Sequence, residues 1–141
     1  MNPFKFQLRV YYEDTDRGGV VYYANYLRYF ERARSEWLRS LGVNQEQLAE
    51  VEGVIFVVAR AEIDFKAGAR LDELLEVTVK VVEKKKTYLW LEQQVLREDG
   101  PGLTRVCAAA RIQVACVRRS DMWPQPVPAA IAAALAPGLA A

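Results

Sequence analysis

Two aspartates and a pair of glycines lie close together in the segment EDTDRGGVVYYANY, residues 13–26. A carboxylate on a loop can serve as a nucleophile or a general base, and adjacent glycines let the backbone adopt a positive φ. The same residue types also shape ordinary turns, and from the residues alone a turn is the simpler interpretation of Asp14 and Asp16. A structural turn and a catalytic carboxylate therefore both stay open at this point.

The spacing in this loop does not suit a metal or a phosphate. Asp14, Asp16 and Gly19 match positions 1, 3 and 6 of a calcium loop. Gly18 and Asn25 would then stand where that loop needs an oxygen ligand and a bidentate glutamate. The glycine pair also fits neither a Walker loop nor GxGxxG, so we predict no metal and no phosphate site here.

The chain contains no histidine. This excludes Ser-His-Asp and Cys-His catalysis and the HExxH zinc site. Any reaction must therefore use a carboxylate, Lys, Tyr, Ser or Thr, Cys, or main-chain N–H groups.

Length and composition indicate one globular domain. The chain has 141 residues, 52% of them apolar, and a net charge of +1, which gives no general attraction to nucleic acid or an acidic membrane. No signal-peptide pattern and no apolar run of about 20 residues is visible, so we expect no stable membrane insertion and a cytoplasmic location. Cys107 and Cys116 are an odd number of residues apart on one predicted strand, which predicts opposite faces and no disulfide.

The elements that would position the loop follow from the hydrophobic periodicity. Alternation over residues 4–12, with Val10 and Tyr12 on the apolar face, predicts a first strand. A three- and four-residue apolar repeat predicts a helix over roughly 26–41, with Asn25 as N-cap and Gly42 just past its end. A short helical turn should follow in NQEQLAEV.

The second half of the chain predicts four strands. They lie in VIFVVARAEIDF, LLEVTVKVVE, TYLWLEQQVLR and TRVCAAARIQVACVR, with Leu75, Val77, Val79 and Val81 on one face. Short turns at 84–86 and 98–102 make the last three an antiparallel meander. The result is an α+β fold in which five antiparallel strands cover one long helix. We expect the Pro- and Ala-rich tail, residues 121–141, to be a docked or frayed appendage.

Three charged residues of the helix have structural interpretations. Arg34 lies among apolar neighbours, where it would snorkel or pair with an acid across a subunit contact. Glu31 and Glu36 are interpreted as surface charges paired with nearby arginines.

Residues 9–42, RVYYEDTDRGGVVYYANYLRYFERARSEWLRSLG, closely resemble the opening of hot-dog-fold acyl-CoA thioesterases. The likeness is strongest to the branch associated with the Tol–Pal cell-envelope system, which is similar to 4-hydroxybenzoyl-CoA thioesterase. It continues more loosely to about residue 118. The resemblance implies a hot-dog domain over 1–120, a five-stranded antiparallel sheet wrapped around one long central helix, with a tail over 121–141.

The resemblance also assigns site residues. It implies that Asp16 is the catalytic carboxylate, that Asp14 shapes the turn, and that the main-chain N–H of Tyr23 is the oxyanion donor. Tol–Pal relatives usually carry histidine at position 23, whereas the 4-hydroxybenzoyl-CoA branch carries tyrosine. Lys84 and Lys85 match a basic pair that contacts the nucleotide phosphates of coenzyme A, although a solvated turn is the simpler interpretation from charge alone.

The function implied is acyl-CoA thioester hydrolysis, with coenzyme A as part of the substrate and no separate cofactor. The resemblance implies a homodimer or a tetramer of dimers with the active site between protomers. A non-catalytic protein that binds acyl-CoA or an acyl carrier protein for the envelope machinery is the alternative. A hot-dog dehydratase is disfavoured, because that chemistry generally uses a histidine.

Overall fold

The computed structural model describes residues 3–135. Five strands and one long helix make up most of it: β1 (Phe4–Arg9), α1 (Asn25–Ser40), β2 (Val54–Phe65), β3 (Leu74–Lys84), β4 (Tyr88–Glu98) and β5 (Thr104–Arg118). A helical turn, α2 (Gln45–Gln47), continues into a π-helical turn (Leu48–Glu52), and a short helix, α3 (Ala129–Ala134), follows the last strand. The predicted α+β class and element order are confirmed.

All strands join one antiparallel sheet in the order β1-β3-β4-β5-β2. The three consecutive strands β3, β4 and β5 form the predicted meander, and the alternate residues Leu75, Val77, Val79 and Val81 are buried as expected. Among the described residues, β2 pairs with β5 alone, and its second half is mostly exposed. It is therefore an edge strand with one side open.

Helix α1 packs one face onto the sheet because its apolar residues recur at helical spacing. Tyr26, Tyr29, Phe30, Ala33, Trp37 and Leu38 form that buried face. Gly42 follows the helix with a φ of 81°, as predicted for a residue just past a helix end. The N-cap prediction was wrong: Ala24 occupies the cap position and Asn25 is the first helical residue.

Two predictions about the direction of side chains were also wrong. Tyr12 does not extend β1; it begins a 3-10 turn (Tyr12–Asp14) and its side chain is 82% exposed. Cys107 and Cys116, neither of which forms a disulfide, do not point to opposite faces, because both side chains are buried in the same core. The reason is a register shift in the β4–β5 pairing, where Val95 pairs with Ala108 but the next residue pairs with Val106. Cys107 is the extra residue of that bulge, which breaks the alternation.

A buried polar network joins the helix to the middle of the sheet. Gln93 is fully buried, and its amide nitrogen donates to the main-chain oxygens of Phe30 (3.1 Å) and Thr78 (3.2 Å). Its side-chain oxygen accepts from Arg34 (2.9 Å), and burial lowers the pKa of that guanidinium. These contacts support the structural interpretation of Arg34.

The two helix glutamates differ from each other. Glu36 pairs with Arg39 as expected. Glu31 instead accepts from the Ser35 hydroxyl at 2.8 Å and forms no arginine pair within residues 3–135. The arginine pairing predicted for Glu31 was therefore wrong.

The described part of the tail lies against the sheet. Val127 and Ile131 are buried, and the Val127 N–H donates to the Lys86 oxygen at 2.8 Å. Residues 136–141 lie outside the described residues. The division of the chain into 1–120 and 121–141 stays a prediction.

Candidate active site

The aspartate loop is a tight hairpin between β1 and α1. The N–H of Asp16 donates to the Val20 oxygen, and the N–H of Tyr22 donates to the Asp14 oxygen, both at 2.9 Å. Gly19 closes the turn with a φ of 80°, a conformation that favours glycine. One arm of the hairpin therefore contains Asp16, and the other arm leads directly into the start of α1.

The Asp16 carboxylate is exposed in the single chain, and one of its oxygens is held locally. Oδ1 accepts from the Gly18 N–H at 2.8 Å; a Cβ at Gly18 would lie only 3.1 Å from that oxygen. Oδ2 accepts no hydrogen bond from the part of the chain that the structure describes. The side chain lines an open depression of about 630 Å³ together with Tyr12, Thr15, Arg17, Gly19 and Leu71. One oxygen is thus oriented, while the other is available for chemistry.

Asp14 is buried and faces inward. Its Oδ2 accepts from the Tyr11 N–H at 2.8 Å, and its main-chain oxygen accepts from the Asn25 carboxamide at 2.9 Å. Burial, and then the Asp14 carboxylate, raise the pKa of Tyr29, whose hydroxyl has no partner of good geometry among residues 3–135. Asp14 thus has the contacts of a residue that shapes the turn.

Tyr23 lies where the hairpin meets α1, and its main-chain N–H is a free donor: no acceptor for it occurs within residues 3–135. Among the neighbouring amides, the Asn25 N–H donates to the Tyr22 oxygen at 2.8 Å and the Tyr26 N–H to the Tyr23 oxygen at 3.2 Å, whereas the Ala24 N–H, like that of Tyr23, has no acceptor within residues 3–135. The Tyr23 ring is 60% exposed and meets the Phe65 ring edge-on at 5.8 Å. A free amide at a helix N-terminus is the kind of donor that stabilises a developing oxyanion.

A second loop supports the hairpin from behind. The N–H of Val21 donates to the Ala69 oxygen at 2.8 Å, and the Ala69 N–H donates to the Tyr26 hydroxyl at 3.2 Å. Gly68 approaches so closely that a Cβ there would lie 2.7 Å from Val20 Cγ1. Sequence reasoning missed Gly68, whose only signal is a lone glycine between two strands.

Lys84 and Lys85 lie far from Asp16 in one protomer. Lys84 is the last residue of β3 and Lys85 follows it; the eleven residues of this strand span about 33 Å, and the aspartate hairpin adjoins its start. Lys85 forms an ion pair with Glu83 at 3.3 Å on the surface. The structure brings Asp16 and Tyr23 onto one hairpin but does not bring the lysines to them within a single chain.

A separate, more apolar cavity of about 170 Å³ lies between the second half of α1 and the first half of β2. Trp37, Leu38, Phe56, Leu89 and Leu91 contribute to its lining. It contains none of the predicted site residues. Within residues 3–135, no helix has the length and apolarity to cross a bilayer, and no cluster of three potential metal ligands occurs.

The sequence and fold define a class. The thioesterase-like superfamily model matches residues 10–135, so the chain belongs to that superfamily, and the hot-dog fold and the family resemblance are confirmed. Among individual proteins, the acyl-CoA thioesterase YbgC of Haemophilus influenzae is 44% identical over 133 residues, 94% of each chain. The acyl-CoA thioester hydrolase YbgC of Escherichia coli O157:H7 is 38% identical over 130 residues, 92% of this chain and 93% of that one. The crystal structure of a probable thioesterase from Bartonella henselae is 36% identical, with a TM-score of 0.82 over 90% of this chain and all of that one.

Proposed function

We propose that this chain hydrolyses acyl-CoA thioesters to a free acid and coenzyme A. The observation that carries the proposal is the hairpin itself, which presents an exposed carboxylate with one uncommitted oxygen and a free N–H at the adjoining helix end. YbgC relatives that cover most of the chain carry the same activity in their names. We propose no cofactor, because coenzyme A belongs to the substrate.

The chemistry suits a site without histidine. A thioester carbonyl is electrophilic, and its leaving thiolate has a conjugate acid with a pKa of about 8.5, so no dedicated general acid is needed. Asp16 either attacks the carbonyl carbon, expelling the thiolate and leaving a mixed anhydride for water to cleave, or removes a proton from an attacking water. In both routes the Tyr23 N–H donates to the carbonyl oxygen as it gains negative charge; loss of one such donor typically costs about 3 kcal/mol.

We further propose that the working site is built by two protomers. Within residues 3–135, β2 has a hydrogen-bonded neighbour on one side only, and its Val58 and Phe65 side chains are 49% and 51% exposed; an uncovered strand edge of this kind pairs readily with a second chain. A homodimer or a tetramer of dimers would cover this edge. In such an assembly Lys84 and Lys85 of another protomer would bind the nucleotide phosphates, as point charges sensitive to salt. An acyl carrier protein as partner and a cytoplasmic location stay predictions.

The test is release of free thiol from a panel of acyl-CoAs that differ in chain length. Asp16→Asn should abolish release but keep the fold and the oligomer size, because the asparagine oxygen can still accept from Gly18. Arg17→Ala, which changes a neighbouring exposed side chain, serves as the control for unspecific loop effects. If the wild type binds CoA esters and hydrolyses none, the protein is a binder and the hydrolase proposal fails. Full activity in Asp16→Asn would remove Asp16 from the mechanism.

A further inference from the structure

Two hydrogen bonds converge on one oxygen beside the free N–H of Tyr23. The main-chain oxygen of Asp14 accepts from the Tyr22 N–H at 2.9 Å and from the Asn25 carboxamide at 2.9 Å. The two donors come from residues on either side of Tyr23 and Ala24. Residues 22–25, which include the Tyr23 N–H, are therefore hydrogen-bonded at both ends to Asp14, on the arm of the hairpin that leads into Asp16.

The Asn25 contact is not an ordinary helix cap. Asn25 is the first helical residue, and no side chain within residues 3–135 caps the start of α1. Its carboxamide instead reaches eleven residues back along the chain, from the helix to the hairpin. A single hydrogen bond of this kind contributes about 1 kcal/mol to folding. That is too little to hold the domain together, but catalysis responds to displacements of about 1 Å.

We propose that Asn25 is a positioning residue, which rests on the function proposed above. Its carboxamide bond to Asp14 fixes the direction of the Tyr23 N–H relative to the Asp16 carboxylate. Asp14 takes part through its main-chain oxygen, while its buried carboxylate anchors the same turn to the Tyr11 N–H. The hairpin and the helix end then form one rigid unit, with the two reactive groups held in a fixed relation.

A purely structural role of Asn25 makes a different prediction, and an isosteric variant separates the two. Asn25→Asp keeps the size of the side chain and adds a negative charge to the first turn of the helix, where acidic groups are favourable. It replaces the donor by an oxygen that faces the Asp14 oxygen. A structural role predicts a less stable variant whose folded molecules keep normal turnover, because the bond to Asp14 is lost. Positioning predicts impaired turnover in the folded variant.

The kinetic experiment compares the wild type with Asn25→Ala, Asn25→Asp and Asn25→Gln. The first two should lower kcat at least about tenfold, because the oxyanion donor is misplaced, with KM changed less than about threefold. Agreement between Ala and Asp assigns the loss to the missing donor rather than to added charge, and Gln, which keeps the amide, should recover part of it. Asn44→Ala is the matched control, since Asn44 also bonds a main-chain group, the Gln47 N–H at 2.9 Å, in another helix. Unchanged kcat in Asn25→Ala and Asn25→Asp, or a rise in KM alone, would overturn the proposal.

A spectroscopic readout separates this inference from the hydrolase proposal. In the ¹H–¹⁵N spectrum of the full chain, the Tyr23 amide resonance should move clearly further in Asn25→Ala than in Asn25→Gln, which keeps the carboxamide at the same position, and it should stay in place in Asn44→Ala. If the wild type cleaves no thioester but the Tyr23 resonance moves in this way, the hydrolase proposal fails while the positioning of the Tyr23 N–H by Asn25 stands. If the resonance does not move, the positioning role of Asn25 is refuted whatever the activity.

Discussion

Gly68 offers a direct way to displace the aspartate hairpin without touching it. A Cβ at this position would lie 2.7 Å from Val20 Cγ1 and 3.2 Å from Val20 Cβ. Carbon atoms in contact prefer about 3.5–4 Å, so the Gly68→Ala methyl needs a movement of roughly 1 Å. The backbone of Gly68 is not left-handed, and the substitution therefore acts through this clash and not through backbone strain.

The structure sets the size and direction of the effect. Val20 lies opposite Asp16 in the hairpin, and the next residue, Val21, is bonded to the Ala69 oxygen at 2.8 Å. The two loops cannot separate without straining this bond. Overpacking of this kind typically costs about 1–3 kcal/mol of unfolding free energy. A 1 Å displacement of a reactive group can cost about 100-fold in rate, so we expect kcat/KM to fall by one to two orders of magnitude, roughly, in a folded protein.

The assay combines thioester turnover with urea unfolding of wild type, Gly68→Ala, Val20→Ala and the double variant. Val20→Ala removes both Cγ methyls, including the carbon nearest the new Cβ, so the double variant should regain turnover and stability relative to Gly68→Ala. The difference between the summed single effects and the double effect measures the coupling of the two positions. Wild-type turnover in Gly68→Ala, or no recovery in the double variant, would refute the role assigned to this loop.

Two further predictions concern the basic turn and a buried thiol. The double variant Lys84→Ala, Lys85→Ala should raise KM for acyl-CoA by roughly tenfold but leave KM unchanged for a truncated thioester that lacks the nucleotide. Equal effects on both substrates would contradict a role in binding coenzyme A. Lys80→Ala, which changes another exposed lysine, is the control. Burial, and then Glu52, raise the pKa of the Cys116 thiol to about 11. Its stabilising contribution is therefore full below about pH 9 and lost as the pH rises toward 11. Urea unfolding at pH 8 and pH 10.5 should show a smaller loss of stability in Cys116→Ser than in the wild type; equal losses would contradict the assignment.

The fold was predictable wherever one periodicity persisted over a whole element. The alternating valines of β3 and the helical repeat of α1 each bury a single face, and Gly42 ends the helix because glycine accepts its φ of 81°. Tyr12 and Cys107 were misplaced because a 3-10 turn and a bulge each change the direction of a side chain without changing the hydrophobic pattern. Such local changes depend on tertiary pairing, which alternation does not encode.

The site was only partly predictable for the same physical reason. Asp16 and Tyr23 stand in a local motif that a resemblance identifies, and whether they are catalytic stays a proposal. Gly68 and Asn25 matter through contacts that join separate elements, and neither residue type is unusual in its own segment. A lone glycine in a loop is typical of a turn, and an asparagine near a helix start is typical of a cap. Only their contacts in the folded chain show that Gly68 packs against the hairpin and that Asn25 bonds to it.

The sheet topology indicates which parts of two protomers would meet if they paired through β2. The pairings Lys84–Leu89, Leu89–Val114 and Val114–Val58 place Lys84 at the same end of the sheet as the first half of β2. The other end of β2, at Phe65, meets Tyr23 at the start of the helix. If two β2 edges pair antiparallel about a two-fold axis, each strand's start lies beside its partner's end. The lysine end of one protomer would then approach the aspartate hairpin of the other, and the proposed shared site would cover the Asp16 side chain that is exposed in a single chain.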